Sequence, residues 1–444
     1  MKSIFISSNR KAASILGGLL FFLSLYLLAC GKEVKPVPVP QKDVPAYPSD
    51  VIDKWMTLQV RLMRNATGIP NQAFSRHFAY TGIAVYESLK PGLNGNEEWH
   101  NKWNGLSGLP VYGHWKYYYL PANANAALAE INRLFFPGAS AMDRAAIDSL
   151  ETALKNEFLA TQEVSVTGTS ELYGKAVARA VYRWAETDGS LHAGDPYTVP
   201  VGEGLWKPTP PAFSAPSTPY WGNNRTIIKG SLHHTTVSGP PAYSVTPGTP
   251  FHNMVKEVYE ASQKLTDDQK AMAIFWRDVP GVTSPGHWLS ILQQVIREKG
   301  TRLEKAALAY ALTGSALNDA LIRCFQVKYQ YLTQRPVTYI RDVMGHTSWS
   351  SFIGTPPHPE YISNHSALSV AAAQVMENLF GKNQAFTDHT YDYMNLAPRS
   401  YSSYTAIGLE AGYSRFYGGI HYMPSIEDGF RLGQQVTDNI FSKN

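Results

Sequence analysis

The stretch TPPHPEYISNHSALS, residues 355–369, combines imidazole, hydroxyl and amide side chains just before a run of small residues that is typical of a helix. Ser363, Asn364 and His365 stand where that helix would begin. The first N–H groups of a helix have no partner within it and lie at its positive dipole end, so they form a natural seat for an oxyanion. Such an anion needs cations and an acid–base group nearby, and two other segments supply them.

These two segments lie in the C-terminal half and carry regularly spaced cations. KYQYLTQRP places Lys328 and Arg335 seven residues apart, about two helical turns, so we expect both on one face of a helix that Pro336 ends. YSRFYGGIHYMPS holds Arg415 and His421, six residues apart. Guanidinium forks bind pairs of oxygen atoms, and lysine acts as a point charge. We find no carboxylate in this constellation, which predicts a tetrahedral-oxyanion pocket and argues against most divalent-metal sites.

Each element taken singly also has a purely structural interpretation. A lysine–arginine pair at this spacing is common on a solvated helix face, and a histidine at a helix start often caps the helix or packs in a core. The order of the three segments and their internal spacing favour a site.

In this order the three segments resemble the signature of the superfamily that unites vanadium-dependent haloperoxidases and type 2 phosphatidic acid phosphatases. That signature is KxxxxxxRP, PSGH and SRxxxxxH, and here it reads KYQYLTQRP, ISNH and SRFYGGIH over residues 328–421. The long helical N-terminal half and the segments FWRDVPGVTSPGHW and WGNNR extend the likeness to the haloperoxidase-like bacterial branch.

The resemblance implies that the pocket binds vanadate, and that phosphate can occupy the same site. It implies that His421 bonds the vanadium and that His365 is the acid–base group acting on hydrogen peroxide. It also implies that Lys328 polarises a reacting oxygen. His358 matches a histidine found at this point in algal bromoperoxidases; the alternative is that it caps a turn. The residues implied to bind the anion are Lys328, Arg335, Ser363, Asn364, Arg415 and His421.

Two positions depart from the family pattern. Ile362 stands where the pattern has proline, and Asn364 where it has glycine. The family uses the backbone N–H of that glycine, which asparagine also has, so anion binding is expected to survive. The asparagine side chain would crowd the pocket or add a donor.

We predict a vanadate-dependent haloperoxidase that oxidises a halide, iodide or bromide, with hydrogen peroxide to hypohalous acid. The alternative is an acid phosphatase of the same superfamily, in which His421 attacks phosphorus and His365 protonates the leaving alcohol. A third hypothesis is a non-catalytic or degenerate ligand-binding lipoprotein. Chain length, the helical N-terminal half and His358 favour the haloperoxidase.

Two further residues need an interpretation. His287 in SPGHW resembles the PSGH element, but it precedes the lysine–arginine segment, so we interpret it as structural or as lining the entrance. Asp278 is expected to hold one of the arginines in place, as carboxylates do around anion and metal sites.

The elements that position these residues are helices. Periodic apolar patterns predict an all-α fold of two packed helical-bundle halves, residues 49–250 and 251–444, with the site in the second. The first half ends in a long covering loop, residues 189–250, rich in proline, glycine, serine and threonine. We find no alternating runs long enough to build a sheet.

The N-terminus predicts export. Residues 1–29 are typical of a lipoprotein signal peptide that ends before a lipidated Cys30, and residues 30–48 form a proline-rich tether. We expect an exported protein anchored to the bacterial envelope. Removing the three cations of residues 1–29 leaves 36 cationic and 35 acidic residues, a balance that argues against a general nucleic-acid binder. The sequence contains no indication of oligomeric state.

Overall fold

The computed structural model describes residues 46–93, 98–113 and 117–442. The predicted signal peptide, the lipidated Cys30 and most of the tether lie outside the described residues. Residues 46–48, predicted to end the tether, contact the folded body. Tyr47 is buried, and its carbonyl accepts a hydrogen bond from the N–H of Leu303 at 3.0 Å. The folded body therefore begins before the predicted boundary at residue 49.

In these ranges the chain forms thirteen α-helices and one two-stranded antiparallel hairpin, which confirms the predicted all-α fold class. The helices are α1 (Asp50–Asn65), α2 (Ala73–Ser88), α3 (Leu120–Phe135), α4 (Ala141–Leu159), α5 (Val164–Ala185), α6 (Pro250–Ser262), α7 (Asp267–Phe275), α8 (Pro285–Glu298), α9 (Leu303–Tyr331), α10 (Pro336–Asp342), α11 (Asn364–Phe380), α12 (Tyr404–Tyr417) and α13 (Met423–Phe441). The hairpin pairs β1 (Phe386–Asp388) with β2 (Arg399–Tyr401), whose three residues each are too few for an alternating pattern. No described helix combines the length and apolar character needed to cross a bilayer.

Helices α2 and α9 pack at the centre of the fold because glycines let their backbones touch. A Cβ atom at Gly82 would lie 2.5 Å from the backbone nitrogen of Ala311, and one at Gly314 would lie 2.6 Å from the Cα of Ala79. Any larger residue would force the helices apart at both points. Helix α9 also packs against α11, so it contacts both predicted halves. The division of the chain at residue 250 remains a prediction.

Helix α11 is the core of the C-terminal bundle. It is rich in alanine and serine, is buried along most of its length, and packs on α9, α12 and α13. The contact with α13 is close, since a Cβ atom at Gly433 would lie 2.4 Å from the carbonyl oxygen of Ala367. This packing holds the N-terminus of α11 inside the molecule.

The covering segment, residues 186–249, contains no α-helix and only short 3-10 turns. A fully buried carboxylate on α9 anchors it, because Asp319 accepts hydrogen bonds from the N–H groups of Ile227 at 2.7 Å and Ile228 at 3.0 Å. Burial raises the pKa of Asp319 to about 6, and these hydrogen bonds oppose the rise. The long irregular segment is thus fixed to the central helix rather than to the surface alone.

Candidate active site

The N-terminus of α11 forms one side of the site. Ser363 is its N-cap residue, and its Oγ accepts hydrogen bonds from the N–H of Ser366 at 3.4 Å and from the Ser366 hydroxyl at 2.9 Å. Because Oγ is the acceptor in both, the Ser363 hydroxyl hydrogen can still be donated. Asn364 and His365 follow in the first turn, whose N–H groups have no acceptor within the helix.

Lys328 and Arg335 do not share a helix, so the prediction of one common helix face was wrong. Helix α9 ends at Tyr331, and Leu332 adopts a left-handed conformation with φ of 51°. Pro336 begins α10 instead of ending a helix. Proline suits the first helical position because its fixed φ fits there and the missing N–H would have had no partner.

Lys328 lies on the last turn of α9 and is fully buried. Its Nζ donates to the carbonyl oxygens of Pro359 at 2.9 Å, Glu360 at 3.0 Å and Ile362 at 2.6 Å. All three ammonium hydrogens are therefore directed to the segment that leads into α11. Burial, reinforced by the neighbouring Arg335, lowers the pKa of Lys328 well below its usual value.

Arg335 joins two histidines. Its Nη2 lies 3.1 Å from Nδ1 of His358, its Nη1 lies 3.1 Å from Nε2 of His421, and its Nε donates to the carbonyl of His358 at 3.0 Å. A guanidinium can only donate, so both histidine nitrogens are acceptors. Nδ1 of His358 also lies 3.3 Å from the carbonyl oxygen of Pro359, but that longer contact would need a proton on Nδ1. From the shorter of the two contacts, we assign the His358 proton to Nε2.

Glu360 is a site residue that sequence reasoning missed. Its Oε1 lies 2.7 Å from Nδ1 of His421 and accepts a hydrogen bond from the N–H of Tyr422 at 3.1 Å. Glu360 is buried and its carboxylate contacts His421, so the expectation of a site without carboxylates was wrong. Burial raises the pKa of Glu360 to about 7, while Arg335 opposes the rise. In the sequence, Glu360 is visible only as an acidic residue within HPEY. Its spacing from the other site residues does not indicate that its side chain is buried beside them.

Arg415, on the last turn of α12, is held as predicted by Asp278. Its Nη2 donates to Oδ2 of Asp278 at 3.1 Å, and its Nη1 donates to the carbonyl of Trp276 at 2.7 Å. The other carboxylate oxygen of Asp278 lies 3.8 Å from Nε2 of His365. The buried Nε of Arg415 has no partner among the described residues.

A cavity of about 390 Å³ opens onto this cluster. The wall includes Ser217 of the covering segment, whose N–H donates to the carbonyl of Pro357 at 2.9 Å. The buried Oδ1 of Asn364 has no partner among the described residues. Lys328, Arg335 and Ser363 do not line the cavity and lie buried behind it. The predicted site residues that do line it are His358, Asn364, His365, Arg415 and His421.

The electrostatics of the cluster fit an oxyanion. Burial lowers the pKa of His358, His365 and His421 well below the usual histidine value, and the surrounding cations act in the same direction. The cluster thus contains three buried cations, two carboxylates and neutral imidazoles, which leaves one positive charge in excess. A buried charge without a partner is costly. A bound vanadate or phosphate would supply the missing negative charge and an acceptor for Nε of Arg415.

His287, interpreted as structural or as lining the entrance, does not line the cavity. It is buried, its Nε2 lies 2.6 Å from Oδ2 of Asp388, and its ring stacks on Trp276 with 4.2 Å between ring centroids. Its role is therefore structural.

Comparisons with known proteins agree with this geometry. Residues 308–444 match the family model of the VCPO second helical-bundle domain. The first bacterial vanadium-dependent iodoperoxidase is similar in structure, with 30% sequence identity and a TM-score of 0.77, over 90% of this chain and 98% of that one. No curated protein matches the chain.

Two crystal structures of bacterial vanadium-dependent chloroperoxidase share the fold at 16% identity. The apo form has a TM-score of 0.64 over 90% of this chain and 99% of that one. The holo form has a TM-score of 0.58 over 92% of this chain and 97% of that one. With the iodoperoxidase similar over nearly its whole length, the chain belongs to the vanadium-dependent haloperoxidase family.

Proposed function

We propose that this protein is a vanadate-dependent haloperoxidase that uses hydrogen peroxide to oxidise iodide or bromide to hypohalous acid. The observation that carries the proposal is one cluster of three buried cations and three neutral histidines. Arg415 and the three histidines line the cavity, and Lys328 and Arg335 lie behind it. The similarity to a bacterial iodoperoxidase supports iodide as a substrate.

The residues present fit vanadate. Nε2 of His421 has a lone pair, as a metal ligand requires. When bound, vanadate supplies a Lewis-acidic centre that activates hydrogen peroxide while keeping its oxidation state. The residues proposed to hold its oxygens are Lys328, Arg335, Ser363, Arg415 and the N–H of Asn364.

His365 is the proposed acid–base residue. Burial keeps its imidazole neutral, so it can take a proton from hydrogen peroxide. The carboxylate of Asp278, 3.8 Å from Nε2, would stabilise the imidazolium that forms. The same carboxylate holds Arg415, so one side chain supports both the anion and the proton transfer.

Lys328 and His358 are proposed to act on the reacting oxygens. Because the ammonium of Lys328 donates to three carbonyls, it must exchange one of them to donate to an oxygen of the anion. His358 retains a proton on Nε2 and lines the cavity, so it can donate a hydrogen bond to a bound oxygen or halide.

The test is reconstitution. The purified protein is stripped of anions and divided between orthovanadate and buffer. Each half is assayed for peroxide-dependent oxidation of iodide and bromide, and for hydrolysis of p-nitrophenyl phosphate. We expect halide oxidation only after vanadate addition, and its loss in His421→Ala. Phosphate release by the vanadate-free half, inhibited by vanadate, would establish the phosphatase instead; silence in both assays would favour the non-catalytic hypothesis.

We also propose that the protein is exported and held to the bacterial envelope by lipidated Cys30. The sequence of residues 1–30 supports this proposal. Cys30→Ser should move the protein from the membrane fraction to the soluble one. An unchanged distribution would contradict the anchor.

A further inference from the structure

We propose that Glu360 is a positioning residue that fixes the tautomer and orientation of His421, and that it thereby makes the pocket favour vanadate over phosphate. The inference rests on the proposed function, in which Nε2 of His421 bonds the metal. It concerns a carboxylate that lies behind the histidine and does not line the cavity.

The tautomer follows from the partners of the His421 ring. Nη1 of Arg335 lies 3.1 Å from Nε2 and can only donate, so Nε2 carries a lone pair. A neutral imidazole has one proton, which must then be on Nδ1. Oε1 of Glu360 accepts it at 2.7 Å. The hydroxyl of Ser425, 3.3 Å from the same nitrogen, is the more distant neighbour. Arginine and glutamate thus select the tautomer that can bind a metal.

The orientation follows from how Glu360 is held. Its side chain is fully buried, and its Oε1 also accepts a hydrogen bond from the N–H of Tyr422, the residue after His421. Its own carbonyl oxygen accepts a hydrogen bond from Lys328 at 3.0 Å. With both ends of the residue fixed, the carboxylate holds the imidazole ring in one plane. A carboxylate behind a ligating histidine also makes its other nitrogen a better donor to metals.

The preference for vanadate follows from what each anion needs. Phosphate can be held by charge and hydrogen bonds from the cations alone, whereas vanadate readily accepts a further bond from the imidazole. As a negative charge, Glu360 repels both anions. Its removal should therefore raise phosphate affinity slightly and lower vanadate affinity, because only vanadate uses the positioned nitrogen.

The experiment measures dissociation constants for orthovanadate and inorganic phosphate by calorimetry. Glu360→Gln keeps the side-chain size and removes the charge. We expect vanadate affinity to fall about 10- to 100-fold, the usual effect of losing a partner of a ligating residue, and phosphate affinity to stay equal or rise. In a His421→Ala background, the same Glu360→Gln change should leave vanadate affinity within about twofold, since no positioned ligand remains.

Asp388→Asn is the matched control. Asp388 is an equally buried carboxylate, 2.6 Å from the ring of His287, and it does not line the cavity. This change should leave the affinity for both anions unaltered. Unfolding temperatures of all variants show whether each one is folded at the assay temperature.

Three outcomes would refute the inference about Glu360, and a fourth would refute the proposed function. If Glu360→Gln lowers the affinity for both anions by the same factor, the pocket is damaged in general. If it raises both affinities by the same factor, Glu360 acts only as a charge. An undiminished effect in the His421→Ala background would separate Glu360 from His421. Each of these refutes the inference about Glu360. If His421→Ala itself binds vanadate as tightly as the unaltered protein, the proposed function fails instead.

Discussion

At the residue scale, the cations of the site are held largely by backbone carbonyls. Lys328 donates to three of them, Arg335 donates to those of His358 and Ile420, and Arg415 to that of Trp276. Side chains fixed in this way lose little conformational freedom when an anion arrives, and prepositioned charge is the main means by which enzymes stabilise developing negative charge. The unusual residue in this arrangement is Asn364, because the family pattern has glycine there.

Asn364→Gly should retain vanadate affinity within about threefold and keep or raise the rate of halide oxidation. The backbone N–H remains, while the carboxamide that lines the cavity, with its buried Oδ1 lacking a partner among the described residues, is removed. Steady-state kinetics with iodide measure the effect. Asn378→Gly, at an exposed position of the same helix, reports the stability cost of glycine alone, about 1 kcal/mol. A tenfold loss of rate in Asn364→Gly alone would give the side chain its own catalytic role.

At the element scale, the site is built where helix ends meet. Lys328 and Arg415 lie on the last turns of α9 and α12, where the partial negative charge of a helix C-terminus stabilises a cation. The N-terminus of α11 lies among them and contributes its partial positive charge toward the anion. These ends meet because α9 and α11 pack closely on their neighbours, and for α9 the contact with α2 depends on glycine.

Gly82→Ala should lower the free energy of unfolding by about 1–3 kcal/mol, the usual cost of overpacking a core. The added methyl group would lie 2.5 Å from the backbone of Ala311 on α9. Gly168→Ala is the control, since a Cβ atom at that position of α5 meets nothing within 4 Å. It should be neutral or stabilise by up to about 1 kcal/mol. Chemical denaturation measures the free energy of unfolding of both variants. An equal change in that free energy at both positions would refute the close approach of α2 and α9.

At the scale of the whole molecule, buried histidines make the fold sensitive to acid. The three site histidines have lowered pKa values, and so has His77 on α2, whose pKa burial lowers to about 3. Below about pH 6.5 the unfolded chain takes up protons at these residues and the folded chain does not, so stability falls as the pH falls. For His77 the loss continues until about pH 3.

His77→Phe should reduce the loss of stability between pH 7.5 and pH 4.5 by about 2–3 kcal/mol, at 1.4 kcal/mol per pH unit below the ordinary histidine pKa. The new ring can keep the packing, because the imidazole already stacks on Phe135 at 4.7 Å and meets Phe136 edge-on at 5.1 Å. Urea denaturation at the two pH values gives the difference. His192→Phe, at an exposed position, controls for the loss of a histidine; an identical pH dependence in His77→Phe and the unaltered protein would contradict the prediction.

The sequence predicted the cations, the imidazoles and the helix start of the site, because their types and spacing follow from the chemistry of an oxyanion. It did not predict that Lys328 lies on one helix and that Arg335 precedes the next. A seven-residue spacing fits one helix, and proline is compatible with the end of one helix or the start of the next. Glu360 and Asp319 were missed for another reason. Whether an acid turns inward depends on partners distant in sequence, here His421 and the N–H groups of residues 227 and 228.

Part of the cavity wall comes from the covering segment, which is distant in sequence from the proposed anion-binding residues. The residues proposed to carry the chemistry lie within 328–421, together with Asp278, whereas part of the cavity wall comes from Ser217, Asn71 and Gln72. The segment that carries Ser217 is anchored to α9 through Asp319. It also contacts the cavity wall, because the N–H of Ser217 donates to the carbonyl of Pro357 at 2.9 Å. Libraries that vary the side chains around Ser217, and keep both the Asp319 anchor and the backbone hydrogen bond to Pro357, should change which molecules enter the cavity and leave the anion-binding residues in place.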